Sequence, residues 1–293
     1  MSVVRPADSL GAMPGIYGAA IVTAAIAVAI FGTMVTRMRL PANPRLLLLA
    51  FLIVLPLEPA SFYFVRVPLD HLLTALLGSN SLTLHWLTTF YAPLTEEPAK
   101  LVPLLVPAIR RDISRANFAR YALAIGLGFA IGEMWFIAEI IARNPKFAGM
   151  PFYLFGGYLS ERLMVCLFHS AFVGVALACL RKRFWLGVAG AMALHWLGNF
   201  PIFLMSSNAF GMGPTFWAVA VQVWIIVYLI GALALFSVFV FGHVSPGRLL
   251  FGRRKCPECG AEYDSPLFAI NLVSRRYERC PVCRHWHFTK TAV

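Results

Sequence analysis

The sequence predicts an all-α polytopic membrane protein of about seven transmembrane helices, followed by a small C-terminal zinc ribbon. Three observations predict it. Of 293 residues, 59% are hydrophobic and 13% charged, whereas soluble domains carry about 25% charged residues. Apolar runs long enough to cross a bilayer alternate with short basic loops. Four cysteines near the C-terminus form two C-x2-C pairs, a spacing suited to one tetrahedral zinc.

The spans are taken in order. A short polar start precedes the first, about Ile16 to Thr36, which is too long for a signal-peptide core and lacks a small-residue cleavage site. The second runs from about Leu46 to Phe64 and contains Pro56, Glu58 and Pro59. Leu69, Leu72, Leu73, Leu76 and Leu77 then recur at helical spacing, which predicts an interfacial helix. The third span is Leu84 to Ile109, where Pro98 and Pro103 remove backbone donors to Leu94 and Ala99 and predict a kink. The fourth is about Tyr121 to Ala142, the fifth Phe152 to Leu180, the sixth Phe184 to Met205 and the seventh Thr215 to Phe241. Residues 1–244 thus form the bundle, 245–255 a basic linker and 256–293 the ribbon.

The net charge of +12 invites a nucleic-acid reading, but the cations cluster in alternate loops. Arg37/Arg39/Arg45, Arg110/Arg111/Arg115/Arg120, Arg181/Lys182/Arg183 and Arg248/Arg253/Arg254/Lys255 fall on one side of the alternation. The positive-inside rule accounts for this without nucleic acid, and it places the N-terminus outside and the ribbon in the cytoplasm. A bacterial cell membrane is the expected location.

Glu96, Glu97 and Lys100 interrupt the third span. An ionisable group at bilayer depth costs about 2.5–3.5 kcal/mol, so such groups usually carry function. Glu133 in the fourth span, His169 in the fifth, and His195 with Asn199 in the sixth add to them. Singly, each suits a packing role equally well. Depth distinguishes the two readings: counted from the basic loops, Glu97 and Glu133 lie roughly 20 Å along their helices, and His169 and His195 roughly 18 Å. Four helices of alternating direction therefore bring their polar groups to one level. Glu58 falls at a similar depth, but its flanking prolines suit a simple kink, and it stays outside the predicted site.

A crowded, desolvated carboxylate is suited to take a proton from water, while imidazole and amide donors serve a leaving amine and an oxyanion. Glu97, with Glu96, is the expected activator of that water; Glu133 and His169 complete its site; His195 and Asn199 face the oxyanion; Lys100 orients the glutamates. Glu97, Glu133, His169 and His195 are also ordinary metal ligands, so a catalytic zinc remains the alternative to a metal-free water.

Glu96-Glu97-x-x-Lys100, Phe129-x-x-x-Glu133, His169 and His195-x-x-x-Asn199 resemble the PrsW family of intramembrane proteases, which is related to the CAAX-prenyl and bacteriocin-processing endopeptidases. The resemblance covers roughly 84–200. It implies an endopeptidase acting on membrane-associated protein substrates, with the matched Glu and His residues at its centre. The chain differs from the CAAX relatives in having Glu133 where they carry His, and from the usual PrsW pattern in having Met134 after that glutamate. An ion-coupled transporter and a non-catalytic scaffold whose ribbon binds a partner are the competing classes. The lack of a visible inverted repeat weighs against transport.

Of the six cysteines, Cys166 and Cys179 lie in an apolar span and read as buried hydrophobes. Cys256, Cys259, Cys280 and Cys283 are the zinc set, with His285 and His287 as spare ligands. A reducing cytoplasm disfavours disulfides there. The Arg253-Arg254-Lys255 run suits an anionic lipid surface, and the ribbon is expected to recruit a protein partner or substrate rather than to catalyse.

Overall fold

The computed structural model describes residues 15–38, 40–79, 81–207, 211–242, 245–272 and 275–290. Among them, six helices are long and apolar enough to cross a membrane: α1 (Gly15–Arg37), α2 (Pro44–Leu77), α6 (Phe118–Ala142), α7 (Gly156–Ala178), α8 (Phe184–Ser206) and α9 (Gly213–Phe241). Between α2 and α6 the chain forms α3 (Leu82–Thr88), α4 (Tyr91–Lys100), a 3-10 turn (Val102–Leu105) and α5 (Pro107–Asp112).

Two expectations therefore change. The expected third span is not one helix. Pro98 is tolerated inside α4, but the helix ends at Lys100 and tightens into the 3-10 turn that holds Pro103. Several prolines within one run remove too many backbone donors for a single helix to persist. The expected interfacial helix is instead the last part of α2. The chain stays helical through a turn at Leu55–Pro56 and a π-helical turn, Phe62–Arg66.

Polar contacts fix the two ends of the bundle. At one end Arg120 donates to Val35 O (2.6 Å) and Leu40 O (2.8 Å), Asn117 to Pro41 O (2.6 Å), and Arg181 to Ile113 O (3.0 Å). At the other, Gly15 abuts Met150–Phe152, and Trp86 packs on Phe203. The broken 82–112 segment begins at the second end and finishes at the first. Among the described residues, six long helices and the short pieces of 82–112 thus make up the bundle.

Helix α6 lies at the centre, and its glycines explain why. A Cβ on Gly126 would sit 2.5 Å from Ser170 N, one on Gly128 2.4 Å from Phe51 O, and one on Gly132 2.0 Å from Leu55 O. Small residues four apart let helix backbones approach closely inside a membrane protein. Pro59 has no N–H to give Leu55 O, so Gly132 meets a carbonyl that lacks its helical donor. Glu133 follows directly from this contact.

After α9, α10 (Pro246–Phe251) leads into β1 (Arg253–Lys255), β2 (Glu262–Asp264), β3 (Ile270–Leu272), β4 (Arg275–Arg279) and β5 (Trp286–Lys290). β1 pairs with β2, and β3–β4–β5 form an antiparallel sheet.

Reporters placed in the 78–81 loop and after Asp112 should read opposite sides of the membrane, because the broken segment joins opposite ends of the bundle. The same side for both would make that segment re-entrant and leave six crossings.

Candidate functional site

Helix α4 carries the first half of the site. Glu96, Glu97 and Lys100 are all buried, Lys100 to 0% exposure. Lys100 Nζ lies 2.6 Å from Glu97 Oε1 and 3.7 Å from Glu96 Oε2. Its ammonium also sits 4.7 Å from the centre of the Phe129 ring and 5.6 Å from that of Phe172, a desolvated cation–π arrangement. From α8, His195 Nδ1 reaches the same Glu97 Oε1 at 2.6 Å, while its Nε2 is 3.8 Å from Glu96 Oε2. The His195 ring stacks on Phe172, 5.3 Å between centroids.

The second half lies between α6 and α7. Glu133 Oε2 is 2.8 Å from His169 Nε2, and its Oε1 accepts from Arg162 Nη1 at 2.8 Å. The Gly126–Ser170 contact presses the two helices together beside His169, and Phe129 meets the His169 ring edge-on. The two halves join where His169 and His195 approach to 6.1 Å between ring centroids. Met134, the departure from the PrsW pattern, is buried, and its carbonyl accepts from Tyr158 Oη at 2.5 Å.

A cavity of about 130 Å³ opens beside these groups, lined by Glu96, Glu133, His169, His195 and Asn199 among others. Four buried polar atoms on its lining residues, Glu96 Oε2, Arg162 Nε, His169 Nδ1 and Trp224 Nε1, have no hydrogen-bond partner in the protein. Buried polar groups are rarely left so, and water or a ligand group usually completes them. All seven predicted site residues thus fall in one neighbourhood. Six are joined by the contacts above, and Asn199 enters only as a wall of the cavity.

Two residues of this network escaped the sequence reading. Arg66, between the second span and the leucine-rich stretch, lies on the π-helical turn of α2 and donates to Glu96 Oε1 (2.8 Å) and Thr95 Oγ1 (3.0 Å). Arg162 sits seven residues before His169, two turns along the same helix face, and that spacing was the available signal. Glu58, set aside as a kink residue, is buried at 2% exposure with Oε1 4.0 Å from Arg66 Nη2.

The alternative metal set of Glu97, Glu133, His169 and His195 does not converge. Among the described residues, the group of His, Cys, Asp or Glu close enough to share an ion is the four tail cysteines. Glu97 and Glu133 bond different histidines, and each also holds a cation, Lys100 or Arg162. A metal ion would compete with those cations for the same oxygens.

In the tail, the Sγ atoms of Cys256, Cys259, Cys280 and Cys283 lie within 4.8 Å of one another. The Cys256–Cys283 and Cys259–Cys280 separations are 3.7 and 3.8 Å. A tetrahedral thiolate site with metal–sulfur bonds of about 2.3 Å requires edges of about 3.8 Å. The two knuckles repeat one turn. Gly260 N bonds Cys256 O (2.9 Å) and Arg284 N bonds Cys280 O (3.0 Å); Cys256 N bonds Ala261 O and Cys280 N bonds His285 O, both 2.9 Å. Gly260 and Arg284 accordingly share positive φ, +71° and +62°. His287 is no ligand in this arrangement, since its Nε2 meets Tyr263 Oη at 2.7 Å. Burial and the Glu278 carboxylate push the Tyr263 phenol above its ordinary pKa, so it stays a donor.

No protein-family model, curated protein or solved structure matches the chain.

Removing Arg162 tests how Glu133 is held. Arg162→Met leaves a buried carboxylate without its cation, and breaking such a pair costs about 3–5 kcal/mol. Glu161→Gln removes the guanidinium's more exposed partner and should cost under about 1 kcal/mol. Unfolding of the purified variants in detergent measures both. Equal losses would mean that the Glu133 pair is not the one that matters.

Proposed function

We propose that the chain is a PrsW-like intramembrane endopeptidase that hydrolyses peptide bonds in membrane-associated protein substrates. The observation that carries this reading is the cavity lined by Glu96, His169, His195 and Asn199, where Glu96 Oε2 and His169 Nδ1 are buried without a hydrogen-bond partner in the protein. That arrangement suits one water held between a proton acceptor and an imidazole.

The roles follow from which atoms are already engaged. Glu97 Oε1 is held by Lys100 and His195, so Glu97 orients the His195 ring, and Glu96, whose Oε2 has no hydrogen-bond donor in the protein, accepts the water's proton. The water oxygen attacks the scissile carbonyl carbon. The Asn199 amide, one helical turn after His195 on α8, donates to the resulting oxyanion, and His195, with Nδ1 on Glu97, faces the scissile carbonyl. As the C–N bond breaks, the leaving nitrogen takes the proton from Glu96. Arg66, Lys100 and Arg162 neutralise carboxylates and fix their geometry. With Glu97 Oε1 bonded to Lys100 and Glu133 Oε1 to Arg162, the attacking group in this reading is a water without a metal. The tail reads as a zinc ribbon, since two C-x2-C knuckles in repeated turns are ordinary structural zinc ligands.

Groups that surround one water act as a unit, so their losses do not add. Glu96→Gln, Glu97→Gln, His169→Ala and His195→Ala should each abolish most cleavage of a reconstituted substrate while the protein still inserts. Any pair should cost little beyond one. Glu139→Gln is the control, because Glu139 pairs with Tyr17 and Arg143 on a half-exposed surface near the end of α6. Mild, multiplicative losses would contradict a single site, and a dissipated ion gradient with no peptide cut would assign transport instead.

Metal content tests the tail. The purified full chain should carry one zinc, and Cys280→Ser none. A second equivalent that survives Cys280→Ser would return a metal to the membrane site.

A further inference from the structure

The β3–β4–β5 sheet has two unlike faces. Side chains alternate across a strand, and the register places Arg276 beside Asn271 and Thr289, and Glu278 beside His287, on one face. Arg276 and Glu278 are completely buried there and form a polar core with Tyr263, Ser265 and Thr289. The opposite face aligns Ile270, Tyr277 and Phe288 in one row, with Trp286 beside Arg279 and Leu272 beside Arg275 in the flanking rows. Ile270, Phe288 and Trp286 are 59%, 52% and 49% exposed. Tyr277 stacks on Trp286 at 5.3 Å and packs against Phe288 at 4.7 Å, so the aromatic surface is continuous.

Charge, chemistry and tether point to the same occupant. From Ser245 onward the chain carries nine Lys and Arg residues against four Asp and Glu. Trp and Tyr set among arginines are the residues that occupy the headgroup layer of a bilayer. The sheet is also held close to the membrane. Between the end of α9 at Phe241 and the cap of α10 at Ser245, four residue steps reach at most about 14 Å. α10 is fixed to the sheet unit, because a Cβ on Gly247 would lie 1.7 Å from Ser265 O and the Arg276 guanidinium sits 3.5 Å from the centre of the Phe251 ring.

We propose that the outer face of the β3–β4–β5 sheet docks on an anionic lipid surface, with Tyr277, Trp286 and Phe288 in the headgroup layer and Arg275 and Arg279 on lipid phosphates. Docking of this kind holds the tail flat beside the bundle and does not depend on the endopeptidase reading.

The test uses the full chain with photoreactive benzoylphenylalanine in place of Phe288, reconstituted in phosphatidylcholine vesicles with or without about one third phosphatidylglycerol. Lipid adducts on the β5 peptide, read by mass spectrometry, should be about fivefold more abundant in the anionic vesicles. Arg275→Glu should reduce them, as should salt near 1 M, where the screening length falls to about 3 Å. No lipid adduct on a chain whose tail still resists trypsin would overturn the proposal. So would an adduct yield indifferent to lipid charge and salt. Added single-stranded RNA that captures the crosslink from the lipid would assign the face to nucleic acid instead.

Discussion

A lysine with no exposed surface sets the terms for the rest of this bundle. Lys100 is fully buried, and an unpaired ammonium at that depth would cost several kcal/mol. Glu97 meets it at 2.6 Å, Glu96 approaches to 3.7 Å, and the faces of Phe129 and Phe172 close the remaining sides. The two glutamates lie on the lysine's own helix and the two rings on α6 and α7, and each glutamate must be held in turn. Glu97 engages His195, Glu96 engages Arg66, and Arg66 approaches Glu58. Neutralising one buried charge thus ties α2, α4, α6, α7 and α8 into one polar layer.

The broken 82–112 segment follows from the same constraint. A regular helix with its backbone bonds intact would be the cheaper way across a bilayer. Here the prolines free backbone carbonyls, and the short helix α4 is oriented by its side chains rather than by its neighbours in sequence. Irregular backbone at membrane depth is tolerated where it is buried in protein or lines a cavity. That is the situation of α4, whose Glu96 forms part of the cavity wall.

The tail solves a different problem by similar means. Its apolar cluster consists of Cys256, Tyr263 and Cys280, too little to fold a domain of this size by burial. In place of an apolar core it has a buried Arg276–Glu278 pair at 3.1 Å, satisfied by Ser265, Tyr263, Thr289 and Asn271, and four thiols at metal-binding spacing. A polar core leaves the apolar side chains of the sheet on its outer surface.

The sequence by itself determined the membrane character, six of its seven expected spans as long helices, the grouping of the polar residues and the cysteine tetrad. Each is written in local composition, in periodicity or in spacing along one element, and depth along a helix is a one-dimensional count. Tertiary structure decided what depth does not carry. It drew Arg66, Arg162 and Glu58 into the network, the first two unmarked by any motif and the third suited equally to a kink. It broke the third span and merged the interfacial helix into α2. It also distributed the glutamates' oxygens, giving Oε1 of Glu97 to Lys100 and Oε1 of Glu133 to Arg162 and leaving Oε2 of Glu96 without a hydrogen-bond partner. The reason is physical: a buried charge is satisfied by whatever donor the fold brings within about 3 Å, and that partner can lie anywhere in the chain.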